Sequence, residues 1–156
     1  SFDLLVQRLL GKCKPFFTLK EYKVNTHASS GDGVSSVATI RIAVNEVEET
    51  TVAEGDGPVN ALDKAVRKAL ERFYPAIKDV KLIDYKVRVL DSDQATAAKV
   101  RVLIESADQN CSWTTIGVSN DIIDASWRAL CDAIEYKLLQ DSQDLKHKAA
   151  KEKAIA

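Results

Sequence analysis

The stretch that decides the fold is ATIRIAVNEVEETTVAEGDGPVNALDKAVRKAL, residues 38–70. Its first part alternates apolar and polar side chains with a period of two, which predicts antiparallel strands with one buried face. From Val59 onward the apolar residues recur at helical spacing, Asp63 and Arg67 lie on the opposite face, and Pro75 ends the pattern. The stretch therefore predicts strand, turn, strand and helix in succession.

A second copy of this pattern follows later in the chain. EYKVNTH (21–27) resembles DYKVRVL (84–90), and ATIRIAV (38–44) resembles AKVRVLI (98–104). From residue 38 onward the match holds a constant spacing of 60 residues. The pairs matched at that spacing are Gly57 with Gly117, Asn60 with Asn120, Leu62 with Ile122, Ala65 with Ala125, and Ala69-Leu70 with Ala129-Leu130. A repeat of this length predicts two structurally equivalent units.

Each copy predicts three strands followed by one helix. We therefore predict an α+β fold of duplicated βββα units, with two three-stranded antiparallel sheets, each covered by a helix, in two layers. Repeat one covers 15–75 and repeat two covers 80–140. An amphipathic pattern over 1–14 predicts a linker helix from an upstream region, and the Lys- and Ala-rich residues 141–156 form a charged C-terminal tail. Exposed sheet faces and edges in such small units favour a homodimer.

Composition and motifs argue against several classes of function. The chain has 22 basic and 23 acidic residues, so it lacks the net positive charge that is typical of nucleic-acid-binding proteins. No apolar run reaches the length of a membrane span, and three widely spaced cysteines favour a reducing, cytoplasmic location. No HExxH, CxxC, GxSxG or P-loop pattern occurs. We predict no catalytic residue, no metal site, and no nucleic-acid or membrane partner.

The turn Gly55-Asp56-Gly57-Pro58 has two interpretations. In the first it only starts a helix, because Gly57 caps it, Pro58 needs no N–H at the first position, and Gly55 allows a sharp turn. In the second it binds a ligand, since the second copy makes the corresponding turn as residues 115–120 without the first glycine and the proline. A helix N-terminus favours a carboxylate, and Asp56 offers an acceptor for an ammonium group. Together these groups match the two ends of a free amino acid.

Five separated stretches resemble one known family. They are GDGPVNALDKAVRKAL (55–70), DYKVRVL (84–90), AKVRVLIES (98–106), WTTIGVSNDIIDASWRAL (113–130) and IEYKL (134–138). These stretches are similar to the C-terminal regulatory domain of the 2-isopropylmalate synthase and citramalate synthase family. The GDGPVNALD and GVSNDIIDASW segments most resemble the citramalate synthase branch. The resemblance covers the chain from about Phe17 to Leu139.

The resemblance implies a function that the residues alone leave open. Full-length members carry an N-terminal, metal-dependent TIM barrel that condenses acetyl-CoA with a 2-oxo acid. Their C-terminal domain dimerises and binds the end-product amino acid, isoleucine or leucine, which inhibits the distant active site. Residues 15–140 would then be a regulatory domain without catalytic activity or cofactors of its own. The divalent metal and acetyl-CoA would belong to the upstream barrel.

The resemblance also implies an effector pocket between the two strand-to-helix turns, near the dimer interface. The residues carried over are Gly55, Asp56, Gly57, Pro58 and Asn60 from the first turn, Gly117, Val118, Ser119 and Ile122 from the second, and Val89 and Ala95 as an apolar wall. Whether isoleucine or leucine is preferred stays open. The alternative function is a structural dimerisation module without a functional effector site.

Overall fold

The structure is a computed structural model that describes residue 6, residues 14–90 and residues 98–155. Two βββα units follow one another and are joined by a 3-10 turn, Pro75–Asp79. The elements are β1 (Thr18–Ser29), β2 (Gly33–Val44), β3 (Val47–Gly55), α1 (Pro58–Leu70), β4 (Lys81–Val89), β5 (Val100–Ala107), β6 (Ser112–Ser119) and α2 (Ile122–Ile155). The sheets are antiparallel, with strand orders β1-β2-β3 and β4-β5-β6. This architecture confirms the predicted fold class.

The two units correspond at a spacing of 64 residues, so the predicted spacing of 60 is wrong. Thr51 donates its hydroxyl hydrogen to the carbonyl oxygen of Ala65, and Thr115 donates in the same way to Ala129, each over 2.7 Å. These two bonds connect equivalent strands and helices, and each pair of equivalent residues is 64 positions apart. The first strands keep their predicted match, because β1 and β4 are both interrupted by a register shift after an equivalent leucine.

The correct spacing changes which residues are equivalent at the turns. Gly57 corresponds to Asp121, and Gly117 corresponds to Ala53. A displacement of four residues keeps every strand side chain on the same face of its sheet and moves a helical residue by about one turn. Both hydrophobic patterns therefore fit almost equally well at either spacing, which is why the sequence match was displaced.

One large hydrophobic core joins the two units, and Val80, Trp113 and Ala133 form a second, smaller cluster. The central strands of the two sheets, β2 and β5, contribute buried residues such as Ile40 and Ile104 to the large core. Both helices pack against it. The rings of Tyr22 on β1 and Trp127 on α2 stack with their centroids 5.4 Å apart, so β1 of the first unit contacts the helix of the second. The units therefore pack as one body rather than as two independent domains.

Each helix approaches its own sheet along a row of buried alanines, and two glycines on the strands make the approach possible. The alanines are Ala61, Ala65 and Ala69 on α1 and Ala125, Ala129 and Ala133 on α2. A methyl group on Gly117 would lie 1.9 Å from the carbonyl oxygen of Ala125, and one on Gly55 would lie 2.5 Å from the backbone nitrogen of Ala61. Helix packing therefore requires both glycines.

Helix α2 continues without a break through the predicted tail, to Ile155. The boundary predicted at residue 140 therefore lies inside a helix, and the predicted linker helix over 1–14 lies almost wholly outside the described residues. The described part of α2 beyond residue 143 is exposed. Neither α2 nor any other helix in the described ranges has the length and apolar character required to cross a membrane.

The turn between β5 and β6 is fastened to α2 by a buried ion pair. Asp108 Oδ2 accepts a hydrogen bond from Lys137 Nζ over 2.5 Å, and Asp108 Oδ1 accepts from the backbone N–H groups of Asn110 and Cys111. Lys137 also donates to Asp141 over 2.8 Å. The Lys137 hydrogen bond is the largest influence on the Asp108 carboxyl, and it helps to lower its pKa from 3.8 to about 2.

Acid should remove this contribution of Asp108 to stability. The folded pKa is below the unfolded value, so the stabilisation is fully present above about pH 4 and is lost as the pH falls towards 2. Because the Asp108 side chain is only 5% exposed, solvent screens the pair little, and we expect a contribution of about 2 kcal/mol. Urea unfolding of the wild type and of Asp108→Asn between pH 2 and 6 tests this. The difference between their free energies of unfolding should change with pH. A pH-independent difference would contradict the prediction.

Candidate functional site

The first strand-to-helix turn starts α1 without a side-chain cap. Gly57 is the N-cap residue and Pro58 occupies the first turn, as the helix-start interpretation predicted. The backbone of Gly57 is extended, with φ −162°, and a methyl group there would contact nothing within 4 Å. The fold therefore does not require a glycine at position 57. Because the first N–H groups of a helix have no partner within it, those of Val59 and Asn60 remain available to a ligand.

The second turn is shorter than the predicted 115–120, because residues 115–119 belong to β6. It closes its own helix start. Asp121 Oδ1 accepts hydrogen bonds from the backbone N–H groups of Ile123 and Asp124, over 2.7 and 2.9 Å. An aspartate in this position satisfies the N–H groups that a helix leaves open, and its charge is favourable beside them. The two turns therefore differ, as predicted, but at another pair of residues. Gly57 provides no side-chain cap for α1, whereas the Asp121 side chain caps α2.

A cavity of about 600 Å³ lies between α1 and β4, and we call it the α1–β4 cavity. It is lined by Val59, Asn60, Asp63, Arg67, Val80, Lys81, Leu82 and Tyr85. The lining combines apolar side chains from both elements with charged side chains, Asp63 and Arg67 from α1 and Lys81 from β4. Such a mixture is typical of a small-molecule site, in which apolar walls provide affinity and a few polar groups fix the orientation.

Asp63 and Arg67 form the mostly buried charged part of the α1–β4 cavity, whereas Lys81 is exposed. Arg67 Nε donates to both carboxylate oxygens of Asp63, over 2.8 and 2.9 Å, and Nη1 of the same guanidinium donates to the carbonyl oxygen of Val80. Each of the two charged side chains is only 15% exposed. Burial raises the pKa of Asp63 even though the charge and hydrogen bonds of Arg67 lower it. Asp63 is therefore an acceptor whose ionised form is incompletely stabilised.

Tyr85 connects the α1–β4 cavity to the second turn. The hydroxyl of Ser126 donates to the carbonyl oxygen of Ile122 over 2.6 Å. Because that bond uses the only hydroxyl hydrogen of Ser126, the Tyr85 hydroxyl donates to Ser126 Oγ, over 2.8 Å. Ile122 does not line the cavity, but its carbonyl group helps to hold a residue that does.

The equivalent cavity of the other unit lies between α2 and β1, and we call it the α2–β1 cavity. It has a volume of about 520 Å³ and is lined by Phe17, Leu19, Ile116, Gly117, Val118, Trp127, Arg128, Cys131, Asp132 and Glu135. Trp127 occupies the position equivalent to Asp63, and Cys131 the position equivalent to Arg67. The charged pair of the α1–β4 cavity therefore has an indole and a thiol as its counterparts here.

The predicted site residues are distributed over both units. Asn60 lines the α1–β4 cavity, whereas Gly117 and Val118 line the α2–β1 cavity. The remaining predicted residues are Gly55, Asp56, Gly57 and Pro58 in the first turn, Ser119 and Ile122 around the second, Val89 at the exposed end of β4, and Ala95 outside the described residues. Neither cavity is lined by residues of both turns. The predicted single pocket between the turns remains a prediction.

Sequence reasoning did not identify several residues that line the α1–β4 cavity. Asp63 and Arg67 lie on the helix face opposite the apolar stripe, as predicted, yet they are mostly buried because the start of β4 covers that face. Their spacing of four residues was the available signal, since it places an acid and a base side by side on a helix. Nothing in the sequence indicated that β4 would pack over them.

The fold and the cavities define a class of protein: a duplicated βββα module with a partly charged cavity where its units meet. Within the residues that the structure describes, no group of three or more His, Cys, Asp or Glu side chains is arranged to hold a metal ion. The chain belongs to the family described as the LeuA allosteric (dimerisation) domain, which matches residues 1–138. This confirms the family resemblance found in the sequence.

Individual relatives agree with this assignment. The chain is 53% identical to (R)-citramalate synthase of Geobacter sulfurreducens over 139 residues, covering 88% of this chain and 26% of that protein. It is 48% identical to (R)-citramalate synthase of Aquifex aeolicus, covering 92% and 28%. It is 32% identical to 2-isopropylmalate synthase of Aquifex aeolicus, covering 71% and 20%. The chain spans about a quarter of the length of these curated relatives, and it corresponds to their allosteric dimerisation domain, not to their catalytic part.

Proposed function

We propose that this chain is a feedback sensor that binds a free branched-chain amino acid in the α1–β4 cavity, within a homodimer. The carrying observation is the difference between the two units. Among the residues that the structure describes, only those of the first unit combine an uncapped helix start with a cavity that holds a buried carboxylate–guanidinium pair. In the second unit Asp121 occupies the helix start and Trp127 the equivalent wall position.

The lining of the α1–β4 cavity suits each part of an aliphatic amino acid. Val59, Val80 and Leu82 provide an apolar surface for the side chain, whose burial contributes about 1.5–3 kcal/mol. The charged ends need polar partners, because their desolvation would otherwise cancel that gain. The backbone N–H groups of Val59 and Asn60 suit the ligand carboxylate, because a helix N-terminus favours an anion.

Isoleucine is the preferred effector in this proposal, and leucine is second. The two side chains differ only in the placement of a methyl group, so we expect discrimination of about 1–3 kcal/mol. Two of the relatives are named (R)-citramalate synthase and share 48–53% of aligned residues, against 32% for the relative named 2-isopropylmalate synthase. The greater similarity to the first group favours the effector that the sequence resemblance assigns to it.

The whole protein is proposed to be a cytoplasmic acyltransferase that condenses acetyl-CoA with a 2-oxo acid on a metal-dependent TIM barrel. The divalent metal and acetyl-CoA would bind that barrel. Feedback inhibition needs a coupling free energy between the effector site and the active site, and each ligand must favour a different state of the same protein. This chain supplies one of the two sites. It can therefore show binding of the effector but not the coupling.

Calorimetric titration of the chain with L-isoleucine, L-leucine and L-alanine tests the proposal. We expect saturable heat for the two branched amino acids and none for alanine. Leu82→Ala should weaken isoleucine binding about tenfold, because it removes part of the apolar wall. Leu19→Ala is the matched control, since Leu19 occupies the equivalent position in the α2–β1 cavity and should leave the affinity unchanged.

One result would favour the structural alternative, and two others would overturn separate parts of the proposal. No heat and no thermal shift at millimolar isoleucine or leucine, with an intact dimer in sedimentation velocity, would leave only a dimerisation module. A monomer at micromolar concentration would instead overturn the homodimer part of the proposal. Equal losses from Leu82→Ala and Leu19→Ala would show that the effector does not bind in the α1–β4 cavity.

A further inference from the structure

We infer that Asp63 accepts hydrogen bonds from the ammonium group of the bound amino acid, and that Arg67 positions the Asp63 carboxylate. The inference rests on the proposed function and assigns a specific role to a residue of the same cavity. It also replaces Asp56, which the sequence suggested for this role. Asp56 lies exposed in the turn before α1 and does not line the cavity, whereas Asp63 does.

The hydrogen bonds of Asp63 leave capacity for a second cationic partner. An ionised carboxylate has about four lone-pair sites, and both Asp63 oxygens share the single N–H of Arg67 Nε. A ligand ammonium carries three donors and a positive charge, so it can use the acceptor sites that Arg67 does not reach. Burial raises the pKa of Asp63, so its ionised form is not fully stabilised by Arg67 alone. A second cation beside the carboxylate would stabilise that form.

Arg67 holds Asp63 between the two walls of the cavity. Its Nε contacts Asp63 on α1, and its Nη1 contacts the carbonyl oxygen of Val80, next to the start of β4. The guanidinium therefore ties the helix to the strand and keeps the carboxylate at a defined place in the lining. A planar group with several donors suits this task better than a lysine, whose single ammonium cannot make the same pair of directed contacts.

The equivalent cavity shows what the site would lack without this pair. In the α2–β1 cavity Trp127 and Cys131 replace Asp63 and Arg67, and Tyr22 of β1 stacks on the indole. An aromatic ring offers no carboxylate at the position of Asp63. The carboxylates of Asp132 and Glu135 line the same cavity, but each already interacts with other groups, and Asp121 occupies the helix start. The chain should therefore bind one amino acid per protomer, although its fold contains two equivalent cavities.

Combining a residue change with a ligand change separates recognition from folding. The ligands are L-isoleucine and 3-methylpentanoate, which has the same carbon chain and carboxylate but no amino group. Asp63→Asn should weaken the affinity for isoleucine at least tenfold in calorimetric or thermal-shift titrations. It should change the affinity for 3-methylpentanoate less than twofold. Asp56→Asn is the matched control and should change neither. The wild-type chain should bind isoleucine with a stoichiometry of one per protomer.

The possible results have distinct meanings. Wild-type binding that Asp63→Asn does not weaken, or that it weakens equally for both ligands, would overturn the role of Asp63 and leave the proposed function intact. A loss caused by Asp56→Asn instead would return the ammonium site to the turn. A stoichiometry of two would overturn the single-site conclusion. A wild-type chain that binds neither isoleucine nor leucine would overturn the proposed function, and this inference with it.

Discussion

Gly117→Ala should lower the midpoint of thermal unfolding by about 10 °C. The added methyl group would lie 1.9 Å from the carbonyl oxygen of Ala125, and that oxygen belongs to the backbone of α2. Because no side-chain rotation can relieve the overlap, α2 must move away from β6, where Thr115 and Ala129 are hydrogen bonded. Overpacking of this kind costs about 3 kcal/mol, which corresponds to about 6–12 °C in a domain of this size.

The matched control is Gly57→Ala. Gly57 has an extended backbone that any residue can adopt, and a methyl group there meets nothing within 4 Å. Alanine is a poorer N-cap than glycine, so a loss of up to about 1 kcal/mol is expected. Thermal and urea unfolding of both variants measure the contrast. Similar losses from the two changes would contradict the close approach of α2 to β6.

Lys137→Met should destabilise the chain by about 3 kcal/mol at pH 7. The Lys137 side chain is 11% exposed and the Asp108 side chain 5% exposed, and the methionine keeps the aliphatic part of the packing. The change leaves a buried carboxylate without its cation, and removing one partner of a buried ion pair costs about 3–5 kcal/mol. We take the lower end of that range because two backbone N–H groups still donate to Asp108.

Urea unfolding at pH 7 measures this loss, and Lys148→Met on the exposed end of the same helix is the control. Lys148 takes part in no hydrogen bond or ion pair between described residues, so its replacement should change the stability by less than about 0.5 kcal/mol. The double variant Asp108→Asn, Lys137→Met should recover part of the loss, because it removes the unpaired charge. If the double variant is less stable than Lys137→Met, the unpaired charge is not the cause.

The fold could be predicted because its two patterns have different periods. Apolar residues alternate with a period of two in residues 38–54, which is typical of strands, and recur at helical spacing from Val59. The sequence therefore separates the strands from the helix clearly. The register between the two copies could not be predicted in the same way. A displacement of four residues preserves both periods, and the alanines repeated every fourth residue in each helix match at either spacing. The hydrogen bonds of Thr51 and Thr115, the strand registers and the helix starts distinguish the two spacings.

The candidate site was predicted only in part, because its two walls come from different units. The first turn and Asn60 were identified from the sequence, since glycine, proline and a helix start leave a local signal. Leu82 and Tyr85 were not, because a strand pattern shows which residues face inward but not which helix of the other unit they meet. Asp63 and Arg67 were assigned to the polar face of α1, and the packing of β4 brings them into the cavity.

The sequence by itself determined the duplicated βββα architecture, the family and the place where each helix begins. These properties depend on local periodicity, on turn residues and on similarity along the chain, all of which can be read without coordinates. Only the tertiary structure decided which glycines are required, how the copies align and which side chains share a cavity. Those properties depend on distances between segments far apart in the chain, such as Gly117 to the α2 backbone and Arg67 to Val80, and no local pattern contains them.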